Sequence, residues 1–278
     1  MCGTCGCDDE GGGGMGGGTR ISVPHDHDVP TRGHVQGDMP LLNGHTHTDS
    51  HTHPEGVQRE ATGDTITLEQ KVLAKNEVVA ERNRVWLADQ GIVAVNLMSS
   101  PGAGKTTLLE RTIRDFAGRR PVAVIEGDQE TMLDADRIKR AGCAVVQVNT
   151  GAGCHLDAQM MHGALAALSP EAGSLILVEN VGNLVCPALF DLGERSKVVI
   201  ISVTEGTDKP LKYPYMFAAA DLVIINKIDL LPYVDFEADR CEKYARSVNP
   251  NVRVLTVSAT TGEGVNHWYD WVAEQFEA

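Results

Sequence analysis

Ser99-Ser100-Pro101-Gly102-Ala103-Gly104-Lys105-Thr106-Thr107 follows an apolar run ending at Met98 and opens a helix-like segment, Leu108 to Phe116. A strand, a glycine-rich turn and a helix in that order make a phosphate cradle. Gly102 and Gly104 free the backbone of the turn, so that its N–H groups, with those of Ala103 and Thr107, can wrap phosphate oxygens at a helix N-terminus. Lys105 is placed to reach the β- and γ-phosphates, and the Thr106 hydroxyl to ligate Mg²⁺. The first glycine of G-x-x-x-x-G-K-[ST] is Ser99 here, and the plain alternative is a chance glycine-rich turn. A dinucleotide-type G-x-G-x-x-G reading fails, because Thr107 stands in the third glycine's place.

Far downstream, Asn226-Lys227-Ile228-Asp229 closes another apolar run. The Asp229 carboxylate can accept from both the ring N–H and the exocyclic amine of guanine. Adenine offers neither there, so the wrong base would leave a buried charge unpaired. Lys227 is placed to lie over the base, Asn226 to tie this loop to the phosphate loop, and Ser258-Ala259-Thr260 to back the guanine. Two carboxylates remain. Asp128 follows the run ending at Ile125, and Glu179 ends Leu175–Val178, with Gly182 three residues on. Both belong on the C-terminal edge of a sheet, as Mg²⁺ ligands or positioners of the attacking water. Their plain alternative is a helix N-cap or a solvated acid.

The soft donors fall into three sets. Cys2, Cys5 and Cys7 place three thiols within six residues. With Met1 removed, the α-amine of Cys2 adds a fourth donor, a set that suits a square-planar ion such as Ni²⁺; a zinc half-site or redox-active thiols are the alternatives. His25, His27, His34, His45, His47, His51 and His53 form an interspersed tract suited to labile metal binding. Cys154, His155 and Cys186 could join two thiolates and an imidazole on Zn²⁺ or Ni²⁺, although each cysteine alone reads as a small buried residue. Cys143, Cys241, His162 and His267 keep that plain reading.

These groups require a particular frame. Apolar runs at Ile92–Met98, Val122–Ile125, Ala144–Val148, Leu175–Val178, Val198–Val203, Leu222–Ile225 and Val252–Val257 alternate mostly with segments of helical length. Alternation of this kind predicts an α/β fold with a largely parallel sheet covered by helices on both faces. Leu68, Val72, Val79 and Leu87 predict a preceding helix, with a capping box at Thr67–Gln70 and a stop at Gly91. Residues 1–64, with glycine runs at 11–14 and 16–18 and little apolar periodicity, read as a disordered metal-binding segment, and residues 65–278 as the folded nucleotide domain.

A formal charge of −14 argues against nucleic acid and anionic membranes as partners. No run of about 18 apolar residues predicts a membrane span, and no basic-then-apolar leader is visible. The expectation is a cytoplasmic chain whose clustered cysteines are metal ligands rather than disulfides.

Together these residues resemble the hydrogenase nickel-incorporation GTPases of the HypB family. The likeness rests on CGTCGC at the N-terminus, the histidine tract, SSPGAGKTT, EGDQET at 126–131, GAGCH at 151–155, ENVGNLVCP at 179–187, EGTDKPLKYP at 205–214 and NKIDLL at 226–231. It implies a P-loop GTPase that binds GTP/GDP and Mg²⁺ and delivers nickel to the [NiFe]-hydrogenase precursor. It also implies a nucleotide-linked homodimer, a small nickel-binding partner (HypA), and a metal site at Cys154, His155 and Cys186 near the dimer interface. Cys2, Cys5 and Cys7 match an N-terminal nickel motif that only some members carry, and the Ser99 departure is shared by the family. A urease accessory GTPase resembles the chain less, because a Cys-Pro-His motif would be expected there. A nickel store with a vestigial GTPase site would not require Lys105, Thr106 and Asp229.

Overall fold

The computed structural model describes residues 21–22, 62–116, 118–128, 133–151 and 153–277, with the backbone alone at 21–22, 62–69, 128 and 133–136. The described residues 21–22 and those from Leu73 onward belong to one compact unit, and the start of the first helix, up to Val72, belongs to a second.

The seven expected strands all form: β2 (Val93–Ser99), β3 (Val122–Asp128), β4 (Ala144–Asn149), β5 (Leu175–Glu179), β6 (Ser196–Ser202), β7 (Leu222–Asn226) and β8 (Arg253–Thr256). They lie parallel in the order β4-β3-β5-β2-β6-β7-β8, and a two-residue strand, β1 (Ile21–Ser22), pairs antiparallel with β4 at the edge. Parallel strands need crossovers. These are supplied by α2 (Lys105–Phe116), α3 (Leu133–Arg140), α4 (Ala158–Leu168), the short α5 (Lys209–Lys212) and α6 (Pro214–Ala218), and α7 (Ala238–Val248); α8 (Val265–Glu274) follows β8.

Alternation along β2 sorts its side chains to two faces. Val93, Val95 and Leu97 join Leu108, Leu109, Ile138 and Trp268 under α2, α3 and α8. On the other face Ala94 packs with Leu87, Leu156 and Met161, and Met98 with Phe217 and Cys241. Each such fully buried aliphatic side chain stabilises the fold by roughly 1.5–3 kcal/mol. Trp268 is fully buried because its indole N–H finds the Thr112 hydroxyl at 2.9 Å. Between Ala94 and Met98 the second face carries a polar residue, Asn96, also fully buried.

The first helix, α1 (Thr62–Asp89), begins five residues before the predicted cap, so Thr67 lies inside it and the capping-box reading is corrected. Thr62 and Asp64 are residue types that start helices as readily as Thr67 does, and extending a nucleated helix costs little. Gly91, at φ 62°, ends the turn after α1 as expected. No helix among the described residues is long and apolar enough to cross a membrane.

Candidate functional site

The phosphate loop spans the step from β2, ending at Ser99, to α2, starting at Lys105. Gly102 and Gly104 hold φ of 75° and 97°, values that side-chain-bearing residues avoid. Gly104 is demanded twice over, since a Cβ there would stand 2.5 Å from Asn226 Nδ2. Asn226, at the end of β7, donates to Ala103 O at 2.9 Å and accepts from the backbone N–H groups of Lys227 (2.8 Å) and Ala259 (3.1 Å). Lys227 adopts φ 64°, and its Nζ donates to Gly102 O at 2.6 Å. Ser258 Oγ donates to Asp229 Oδ1 at 2.5 Å. One asparagine amide thus joins the phosphate loop, the Asn226–Asp229 loop and the Ser258–Ala259 loop, of which the tie to the phosphate loop is the one expected from the sequence. On the other flank Ser100 Oγ donates to Glu205 Oε2 at 2.5 Å, and Lys209 pairs with Glu205 at 2.9 Å.

A cavity of about 550 Å³ opens over this loop, lined by residues 99–107 with Glu126, Gly127, Arg137, Glu179, Asn180, Val181, Gly182 and Lys227. Lys105 and Thr106 are buried, and Thr106 Oγ1 donates to Glu179 Oε1 at 2.8 Å. That hydroxyl–carboxylate pair is a donor set for Mg²⁺. Asp128 is the last residue of β3, in register with Asn149 on the C-terminal edge of the sheet. Sequence reasoning missed Glu126, which is 2% exposed and in register with Glu179 on the neighbouring strand. Its signal was an acid at the end of an otherwise apolar run. Arg137, paired with Glu110 at 3.0 Å, was missed too.

Cys154, His155 and Cys186 come together, with one ligand atom of each within 4.8 Å of the others. The two sulfurs lie 2.8 Å apart, and Cys154 Sγ is 3.6 Å from His155 Nδ1. Cys154 and His155 sit on the loop between β4 and α4, whereas Cys186 opens a 3₁₀ turn, Cys186–Ala188, after β5. Burial holds the His155 imidazole below its ordinary pKa, against the opposing charge of Asp157, and so favours the neutral ring that binds metal. Phe190 stacks on that ring with centroids 3.8 Å apart. Two thiols and a neutral imidazole suit Zn²⁺ or Ni²⁺, and three protein donors leave a coordination position open. Cys143 and Cys241 keep the plain reading: both are buried, and burial pushes each thiol up to about 12. His162 bonds Asn83 at 3.1 Å. Cys2, Cys5, Cys7 and the seven histidines of the N-terminal tract lie outside the described residues.

The two groups of residues adjoin. A second cavity, of about 410 Å³, is lined by Cys154 and shares Ser100, Pro101, Val181 and Gly182 with the first. Gly182 lies against the phosphate loop, since a Cβ there would meet Pro101 Cγ at 3.2 Å. Asn180, one residue beyond Glu179 and 1% exposed, accepts from Leu156 N–H at 3.2 Å and donates to Asn96 Oδ1 at 3.2 Å. Asn96 in turn donates to Glu194 Oε1 at 3.1 Å. Asn183 Nδ2 donates to Cys154 O at 3.3 Å.

A doubly covered parallel sheet with a strand–glycine loop–lysine–helix step at its centre defines a P-loop nucleotide-binding protein, here with a thiol–imidazole cluster beside the cradle. The family model for the CobW/HypB/UreG nucleotide-binding domain matches residues 93–256. Hydrogenase maturation factor HypB of Rhizobium leguminosarum bv. viciae is 54% identical over 220 residues, 79% of this chain and 73% of that protein. Among solved structures, hydrogenase maturation factor HypB from Archaeoglobus fulgidus superposes with a TM-score of 0.69 at 39% identity, covering 73% of this chain and 99% of that one. HypB from Helicobacter pylori in complex with nickel gives 0.70 at 36% identity, covering 73% and 95%. The chain belongs to the CobW/HypB/UreG family and, within it, to the HypB hydrogenase maturation factors.

Proposed function

We propose that this chain is a cytoplasmic, GTP-hydrolysing nickel metallochaperone that delivers nickel to the [NiFe]-hydrogenase precursor. In this reading it works with a small nickel-binding partner of the HypA kind. Nucleotide state and homodimerisation are coupled to metal held by Cys154, His155 and Cys186, where zinc competes with nickel. The observation that carries the reading is the shared wall of the two cavities, Pro101, Val181 and Gly182, one opening over the phosphate loop and the other lined by Cys154. The nickel-bound Helicobacter pylori relative supports the choice of cargo.

The roles follow from chemistry. Backbone N–H groups of residues 102–107 and the Lys105 ammonium hold the phosphates, while Asp229 selects guanine, with Asn226, Lys227, Ser258 and Ala259 shaping its pocket. Thr106 and Glu179, with Asp128 at the neighbouring strand end, would hold Mg²⁺, which neutralises charge developing on the β- and γ-oxygens. Glu179 or Asp128 orients the attacking water. Without a partner, turnover is on the order of 10⁻³–10⁻² s⁻¹, the range of unassisted switch GTPases. Residues 1–64 collect cargo, with Cys2, Cys5 and Cys7 as the tight site and the histidine tract as a labile reserve.

The test is nickel transfer from the full chain to apo hydrogenase precursor, alongside GTP turnover measured without nickel. Turnover together with GTP-dependent transfer supports the proposal. A chain that binds nickel yet neither hydrolyses GTP nor transfers the ion is a store, and one that serves only a urease precursor is a urease factor.

A further inference from the structure

Asn76 and Asn83 of α1 line neither cavity just described, yet they hold both loops that carry the cysteine and histidine ligands. They are seven residues apart and therefore share a helix face. Asn76 Oδ1 accepts from Ala158 N–H at 2.8 Å, and its Nδ2 donates to Asp191 O at 2.7 Å. Asn83 Nδ2 donates to Ala158 O at 2.9 Å and to Leu192 O at 3.0 Å. Ala158 is the first residue of α4, three positions after His155. Asp191 and Leu192 directly follow Phe190, whose ring lies on His155, and the same stretch begins with Cys186. Each amide thus bridges the Cys154–His155 loop and the Cys186–Leu192 loop, with both backbone groups of Ala158 taken.

The contact is close as well as polar. Gly193 has φ 86°, and a Cβ there would stand 2.4 Å from Ala80 O of α1, so the second loop lies directly on the helix backbone. Arg84 adds an ion pair to Asp191 at 2.5 Å. An amide has a fixed donor–acceptor span, so the loops cannot slide past each other without breaking bonds to buried groups.

We propose that Asn76 and Asn83 are positioning residues of the Cys154–His155–Cys186 centre: α1 sets the separation of the two ligand-bearing loops and hence how tightly a soft divalent ion is held. This rests on the metal-centre reading above. It makes α1 part of the metal site although it supplies no ligand.

The test uses the full chain with Cys2, Cys5 and Cys7 changed to Ser, titrated with Ni²⁺ against a chelator and followed by thiolate-to-nickel charge-transfer absorption. The histidine tract is silent in that band, and the buried Cys143 and Cys241 thiols stay protonated. Asn76→Ala and Asn83→Ala should each weaken nickel by roughly tenfold to a hundredfold and shift the band, as losses around metal ligands do. GTP affinity should stay within about twofold, because neither residue reaches the phosphate cavity. Trp86→Ala, which removes a side chain of the same helix that faces Leu165 and Ala166 of α4 rather than either ligand loop, should leave the nickel band and affinity unchanged. Wild-type nickel affinity in both asparagine variants would overturn the inference, as would an equal loss in Trp86→Ala. A parent chain with no charge-transfer band would overturn the metal-centre reading and this inference with it.

Discussion

The nucleotide cradle and the thiol cluster share a wall, yet they are built on different terms. The cradle is main chain: Gly102 and Gly104 in left-handed conformations at a strand end, braced by Asn226 to two other strand-end loops. The cluster is side chain: three donors on two loops, held by the amides of Asn76, Asn83, Asn180 and Asn183. A phosphate site works by presenting fixed N–H dipoles, so rigidity serves it. If the cluster delivers an ion as proposed, it needs donors whose separation can change. Loops tied by a few side-chain amides can change their spacing when those bonds are broken, where a sheet edge cannot.

If the two sites are separable in this way, damage to the cradle should leave the cluster whole. The largest effect is expected at Lys105, which is 9% exposed at the start of α2. Lys105→Ala should cut GTP turnover by at least about 10²-fold, on the scale of removing a charge-stabilising donor. Nickel charge-transfer absorption should be unchanged; turnover comparable to wild type would mean the phosphate site is misplaced. Asp229→Asn comes next. It should weaken GTP by about 2–4 kcal/mol, because the buried guanine edge loses its charged acceptor, and should favour xanthine nucleotides. Equal affinity of the wild type for ATP and GTP would break this assignment. Gly104→Ala should then cost GTP affinity by roughly tenfold, since φ 97° and the Asn226 amide both oppose a methyl group. Equilibrium nucleotide binding decides it, with unaltered affinity counting against the cross-brace.

The same contrast explains what could be read from residues alone. All seven parallel strands and the strand-end loops were legible, because a phosphate loop or an N-K-x-D loop is contiguous and each apolar run carries its own period. The thiol cluster was only half legible. Cys154-His155 and Cys186 announce donor chemistry, but nothing local says that two loops meet. Asn96 had a signal, a polar residue inside an apolar strand, that pointed to a buried network. Glu126 showed only as an acid ending an apolar run, because its place beside Glu179 is set by register between strands far apart in sequence. Asn76, Asn83 and Phe190 matter through tertiary contacts alone. At Thr67 the opposite failure occurred: a sound local cap pattern was overrun by a helix that starts at Thr62.

The subtlest prediction concerns Asn180, where the two sites touch through one side chain. Glu179 is bonded to Thr106 of the phosphate loop, so a change at a bound γ-phosphate should be felt first at the end of β5. Asn180 is the next residue, and its Oδ1 holds Leu156 N–H, one position beyond His155. Its Nδ2 is anchored through Asn96 to Glu194, so the amide cannot turn freely. A shift of Glu179 should therefore pull the Cys154–His155 loop relative to Cys186, and one nucleotide state should hold the ion better. For a coupling of about 1–3 kcal/mol, nickel affinity should differ 5–150-fold between GDP and non-hydrolysable GTP forms, and bound nickel must shift nucleotide affinity by the same factor. Asn180→Ala should bring that ratio close to one while leaving GTP binding itself within a few-fold. The measurement is nickel affinity of the full chain lacking its three N-terminal thiols, in nucleotide-free, GDP and GTP-analogue forms, with Cys186→Ala as control. Identical affinities in all three forms would make the cluster a structural staple, and a ratio that survives Asn180→Ala would move the coupling to the Pro101–Gly182 contact.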